Sequence, residues 1–177
     1  MKKLRTLHTN VTINASKEKV WDSLFTRFGE AHLYNPSLDG SHFSVGIKGE
    51  VGCERQCSLD AKTKVVERIT QAEELKKFTV NIIGGNMPMI DTMVVELELK
   101  PLSSKQTTVL LTANYNTTPA FMGGLVKGMM ISKFDDMLIG LKYFLETGKA
   151  VSKQTYKPIS KMYQQMQPNQ SFQCTTN

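Results

Sequence analysis

The stretch PAFMGGLVKGMMISKFDDMLIGLKYFLETG, residues 119–148, decides the fold. Met122, Val126, Met130, Phe134, Met137, Leu138, Leu141 and Leu145 recur at steps of three and four, while Lys127, Asp135, Asp136, Lys142 and Glu146 fall on the opposite side. That spacing predicts one long amphipathic helix. Pro119 suits its start, where a missing N–H costs nothing; Gly148 suits a left-handed C-cap, and Lys149 beyond it complements the dipole. At ~1.5 Å per residue the helix spans on the order of 40 Å. An apolar stripe of that length has to be covered by the rest of the chain.

Upstream, the period changes from helical to alternating. Strands are predicted over residues 4–14, 42–47, 52–59, 64–71, 77–83, 93–99 and 107–117. The links GIKGEVG, DAKT, AEELK and PLSSKQ are hairpin-sized, so consecutive strands pair antiparallel. Val95, Leu97 and Leu99 share one face against Glu96, Glu98 and Lys100, and Val109, Leu111, Ala113 and Tyr115 make a matching face. After the first strand, Ser16 caps a helix, SKEKVWDSLFTRFG, that Gly29 ends; EAHLYNPSL predicts a second short helix or turn, stopped before Pro36. The fold class is α+β: a seven-stranded antiparallel sheet curved around a long C-terminal helix, with two short helices near the N-terminus.

A length of 177 residues suits one domain with an ample core. Residues 1–149 form that domain, and 150–177 read as a polar basic tail, loosely packed or disordered beyond about Gln164. Whether its Tyr156, Ile159, Met162 and Tyr163 fold back on the sheet stays open. Cys53 and Cys57 lie four apart on one strand, roughly 13 Å, beyond bridging distance, and Cys174 is in the tail. His8, His32 and His42 have no ligand spacing, so no metal is expected. The first residues lack a signal-peptide core and no run of eighteen apolar residues occurs, which predicts a cytoplasmic protein.

The net charge of +6 gathers at the ends, in Lys2, Lys3 and Arg5 and in Lys149, Lys153, Lys157 and Lys161. Such ends are mostly solvated, with at most transient attraction to anionic membranes. A basic stripe interleaved with exposed aromatics is missing, so nucleic acid is not an expected partner. IIGGNMP, residues 82–88, has no Lys-Ser/Thr and no helix after its glycines, and reads as a bend or bulge rather than a phosphate loop.

Two charged residues fall among inward-facing neighbours. Glu67 alternates with Val65 and Ile69, which makes it a buried carboxylate in need of a partner; the alternative register sets it in water beside Lys64 or Arg68. Arg55 shares a face with Cys53 and Cys57, so it is either turned inward onto a carboxylate or anionic ligand, or exposed on an edge. Of ten methionines, Met122, Met129, Met130 and Met137 lie on the long helix and Met87, Met89 and Met93 near the Gly-rich loop. They suit either core filling or a plastic pocket.

ASKEKVWDSLFTRFG followed by YNP, then VGCERQCSL and VVERITQAEELKKFTVNIIGGNMP, and finally KFDDMLIGLKYFLETG follow one another in an order and spacing that resembles the START/Bet v 1-like (SRPBCC) superfamily. Individual stretches are similar to its polyketide cyclase and plant hormone receptor branches, over residues 9–149. The resemblance implies a helix-grip fold whose cavity, between sheet and helix, holds a hydrophobic or amphipathic small molecule of lipid, polyketide or aromatic type. The cavity would open beneath the loops SLDAKT and GGNMPM. Where the plant receptors carry their gate and latch, this chain reads Ser58-Leu59-Asp60-Ala61 and Met87-Pro88-Met89. The implied ligand-binding set is Arg55, Glu67, Val80, Met87, Met89, Tyr115, Val126, Met130, Phe134 and Leu138, with Glu67 on the cavity wall and Arg55 its counter-charge. No cofactor is implied.

Three functions stay open. Binding or transport is favoured. A cyclase or dehydratase using Glu67 as proton carrier is the alternative, with the balance leaning against catalysis, and an interaction protein bound through its basic tail is the third. The sequence does not fix the oligomeric state.

Overall fold

A computed structural model of the chain describes residues 4–166. Lys2, Lys3, Cys174 and the end of the tail lie outside the described residues. Among the described residues seven antiparallel strands form one sheet in the order β1-β7-β6-β5-β4-β3-β2. They are β1 (Arg5–Ile13), β2 (Gly40–Val45), β3 (Glu54–Ser58), β4 (Lys64–Glu73), β5 (Lys77–Gly85), β6 (Ile90–Ser103) and β7 (Gln106–Thr117). α2 (Gly123–Thr147) lies across the sheet's inner face. Alternation along β6 buries Met93, Val95, Leu97 and Leu99, and along β7 Val109, Leu111, Ala113 and Tyr115. This is the helix-grip arrangement, and bulges at Phe43/Val45, Val66/Glu67, Ile69/Gln71 and Ile90/Thr92 bend the strands around the helix. No helix among the described residues is long and apolar enough to cross a membrane.

The first helical segment departs from expectation. Ser16 caps α1 (Lys17–Trp21), its hydroxyl accepting from the Lys19 N–H, but the chain then opens into a π turn (Asp22–Thr26) and a 3-10 turn (Phe28–Leu33). Gly29 does not stop a helix. It admits β2, whose Phe43 ring comes within 2.6 Å of where a Cβ would stand. Trp21 then stacks on Phe25 at 4.5 Å, both meet Phe78 edge-on at 5.6 and 5.3 Å, and the three plug the sheet at the β4–β5 end.

α2 starts later than residue 119: Ala120–Met122 form a 3-10 turn after a cis Thr118–Pro119 bond. Gly148 closes α2 in the left-handed conformation (φ 74°), as its position suggested. The far side of α2 is not a solvent face along its C-terminal half. Lys142 is buried, donating from Nζ to the Thr12 carbonyl at 2.6 Å and to Glu146 at 2.7 Å, and Asp135 accepts from the Thr9 hydroxyl of β1.

The tail is likewise helical where it is described. α3 (Lys153–Met166) packs on α2 rather than on the sheet, joining Val151 and Ile159 to Ile139, with Tyr143, Tyr156 and Tyr163 alongside. Lys and Gln between these contacts, and Pro158 within the helix, hide the period of Tyr156, Ile159 and Tyr163.

Glu146 ties three elements together. Its carboxylate accepts from the Asn14 N–H at 2.8 Å, Lys142 at 2.7 Å and the Tyr163 hydroxyl at 2.9 Å. Burial opposes its charge, but Lys142, the Asn14 N–H and Tyr163 together hold the carboxyl below its ordinary value of 4.5. A depressed folded-state pKa stabilises the fold above the unfolded value, and that contribution disappears as pH falls through the folded one. Docking of α3 is therefore expected to be constant from pH 7 to about 5 and to weaken below 4.5. Glu146→Gln should remove this dependence, read as hydrogen exchange of residues 153–166.

Candidate ligand cavity

Between the sheet and α2 lies a cavity of about 470 Å³. Its wall is the apolar inner face of β4–β7, chiefly Val65, Val80, Ile82, Met93, Val95, Leu97 and Leu111; its roof is Met129, Met130, Phe134 and Met137 of α2. Leu59, Asp60 and Thr63 of the β3–β4 loop and Met87 and Pro88 of the β5–β6 loop form the mouth, at the end of the sheet opposite the aromatic plug. Gly85 makes this end: its φ is 115°, and a Cβ there would overlap the Lys64 carbonyl oxygen. Lys153 of α3 reaches the rim, donating to Asp39 at 2.5 Å and to the Leu59 carbonyl at 2.7 Å.

One ion pair interrupts the apolar lining. β3 and β4 place Arg55 and Glu67 directly opposite each other, and the bulge at Val66/Glu67 adjoins the carboxylate. Arg55 Nε donates to Glu67 Oε2 at 2.5 Å and Nη1 to the Phe28 carbonyl at 2.9 Å, with the guanidinium 4.0 Å from the centre of the Phe28 ring. Their side chains are 11% and 18% exposed, so the pair is largely screened from water. Burial is the largest influence and works against the guanidinium charge, but Glu67, with Cys57 and Tyr34, together outweigh it and hold Arg55 more firmly protonated than usual.

The Cys57 thiol lies 3.5 Å from Glu67 Oε2 and is pushed up to about 12, first by burial. At neutral pH it is a thiol and not a nucleophilic thiolate. Burial likewise raises the Tyr34 hydroxyl. The arrangement can enclose an apolar body and meet one polar group with a donor and an acceptor side by side.

Arg55, Glu67, Val80, Met87, Met130 and Phe134 come together on the cavity lining. Four expected residues do not. Tyr115 is fully buried, and its hydroxyl donates to the Gly123 carbonyl at 3.2 Å. Val126 and Leu138 belong to the same helical stripe but are sealed within the packed core. Met89 takes a left-handed backbone (φ 65°) and packs against the core beside the mouth. Sequence reasoning left Val95 and Leu97 out of the site although their alternation had set them on one face, left out Met93 although it was grouped with the methionines near the Gly-rich loop, and missed the rim residues Asn35, Ser37 and Lys153.

No curated protein sequence matches the chain. Solved structures share its fold at low identity. Ara h 8.0201 superposes with a TM-score of 0.68 at 12% identity, covering 82% of this chain and 99% of that one. A START superfamily protein from Mycobacterium smegmatis gives 0.67 at 14%, covering 80% and 97%. Norcoclaurine synthase from Thalictrum flavum gives 0.65 at 12%, covering 82% and 88%. The sequence profile described as polyketide cyclase / dehydrase and lipid transport matches residues 5–146, nearly the whole sheet-and-helix unit, and the chain therefore belongs to that family.

Proposed function

We propose that the protein binds and carries a hydrophobic or amphipathic small molecule of lipid, polyketide or aromatic type. The observation that carries this reading is a cavity of about 470 Å³ whose largely apolar wall holds the Arg55–Glu67 ion pair, with Asn35, Ser37, Asp60, Thr63, Lys133 and Lys153 at its mouth and rim. The family's description joins polyketide cyclisation and dehydration to lipid transport, and each of these handles a molecule of this kind. Affinity would come chiefly from apolar burial, at ~25 cal/mol per Å², with Arg55 and Glu67 selecting the polar end. The ligand-binding unit is residues 1–149, with α3 strapped to its helix. The buried free thiols Cys53 and Cys57 fit a reducing cytoplasm.

Catalysis with Glu67 as proton carrier has less support, because the carboxylate is already engaged by Arg55 and Cys57. Glu67→Gln separates the two: binding of a neutral apolar probe survives under the carrier reading, while turnover is lost under the catalytic one. The direct test is Val80→Phe, which puts an aromatic ring into the cavity from the middle of β5. Binding of 1-anilinonaphthalene-8-sulfonate should fall at least about tenfold, the equivalent of ~1.4 kcal/mol, with Tm unchanged or higher. Undiminished binding would contradict the reading.

A further inference from the structure

We propose that the protein docks on anionic phospholipid bilayers with its cavity mouth against the membrane, Phe121 and Leu125 inserted among the lipids. Phe121, Leu125 and Met129 are 80%, 69% and 46% exposed, and their spacing of four sets them in a row along the turn before α2 and its first turns. Gly124 and Gly128, exposed between them, bring no polar side chain to that face. Met129 also lines the cavity, so the row runs on into the interior.

The charges around the row favour a negatively charged surface. Between Thr117 and Asp135 the only charged residues are Lys127 and Lys133, and Lys133 stands on the cavity rim. The neighbouring β5–β6 loop, residues 86–89, carries no charge, and one exposed acid, Asp91, stands just beyond it on β6. The β3–β4 loop and the first residue of β4 add exposed Lys62 and Lys64 against one acid, Asp60, whose carboxylate accepts from the Lys62 and Thr63 N–H groups. An apolar row flanked by lysines is the pattern of a segment that lies in the headgroup region. Three exposed side chains make a patch far smaller than the ~800 Å² that each partner gives a stable protein interface, which argues against a second copy as the occupant. The proposal rests on the carrier reading: a ligand of that class is stored in membranes, and a mouth set in the bilayer lets it pass without crossing water.

The test is flotation of the full chain with vesicles of phosphatidylcholine, with and without phosphatidylglycerol, alongside the variant Phe121→Ser/Leu125→Ser. Wild type should float with the anionic vesicles, less so with neutral ones or in high salt. The double variant should partition at least about tenfold more weakly, with unchanged Tm and unchanged binding of 1-anilinonaphthalene-8-sulfonate. Wild type that stays with neither vesicle, a variant that floats as well as wild type, or a wild-type dimer that the variant abolishes would each overturn the proposal. Wild type that floats yet takes up no probe would instead overturn the carrier reading and leave docking standing.

Discussion

Arg55→Met is expected to lower stability by about 3 kcal/mol, a fall in Tm of roughly 6–12 °C for a chain of this size. The substitution leaves Glu67, 18% exposed, without the guanidinium that meets its charge at 2.5 Å, and a largely buried carboxylate stripped of its partner keeps its full desolvation cost. It also cuts the bond from Arg55 to the Phe28 carbonyl, which ties the 3-10 turn to β3. Methionine fills a similar volume and can still lie on the Phe28 ring, so packing loss is kept small. The double variant Arg55→Met/Glu67→Leu removes both charges and should recover to within about 1 kcal/mol of wild type. Denaturant unfolding of the single and double variants measures the difference. An equal loss in both would show that packing, not charge pairing, holds this part of the cavity wall.

Gly140→Ala in α2 should lower Tm by several degrees, opposite in sign to what helix propensity alone gives. Propensity favours Ala over Gly by about 1 kcal/mol in a helix interior. At residue 140, however, a Cβ would overlap the Tyr34 carbonyl oxygen and come within 3.3 Å of Pro36 Cδ. A backbone carbonyl cannot rotate aside as a side chain can, and overpacking of this kind costs typically 1–3 kcal/mol and occasionally more. Gly128→Ala is the control: nothing lies within 4 Å of a Cβ there, so the same substitution in the same helix should stabilise by up to about 1 kcal/mol. If both substitutions shift Tm the same way, the contact between the Tyr34-Asn35-Pro36 turn and α2 does not govern their packing.

That contact shows what the sequence made legible and what it did not. YNP and KFDDMLIGLKYFLETG stood out as separate motifs a hundred residues apart; only the fold shows that the first presses on Gly140 within the second. The long helix and the strands were readable because periods of 3.6 and 2 survive in their apolar residues, whereas alternation grouped Glu67 with Val65 and Ile69 and Arg55 with Cys53 and Cys57 without deciding whether those faces turn inward. Their pairing was implied by the family resemblance and not by either strand, because it depends on the register of β3 against β4, which no single strand encodes.

Periodicity also says that a residue faces inward without saying which part of the interior it meets. Met130 and Phe134 of α2 look onto the cavity, whereas Val126 and Leu138 of the same stripe are closed off in the core. Tyr115 was misplaced for a related reason: its strand alternation is correct, but its hydroxyl is taken by the Gly123 carbonyl. α3 was missed because three apolar contacts in a helix rich in Lys and Gln look like solvent-facing chain until α2 offers a partner. The polar residues of α2 were misread likewise, since Lys142 and Asp135 meet β1 rather than water.

The most direct measurement is native mass spectrometry of the full chain, wild type and Val80→Phe, after incubation with a total apolar extract of its own host. A cavity that holds a ligand should give a one-to-one non-covalent adduct on the wild type that is absent from Val80→Phe. An adduct-free wild type, or the same adduct on both proteins, would contradict it.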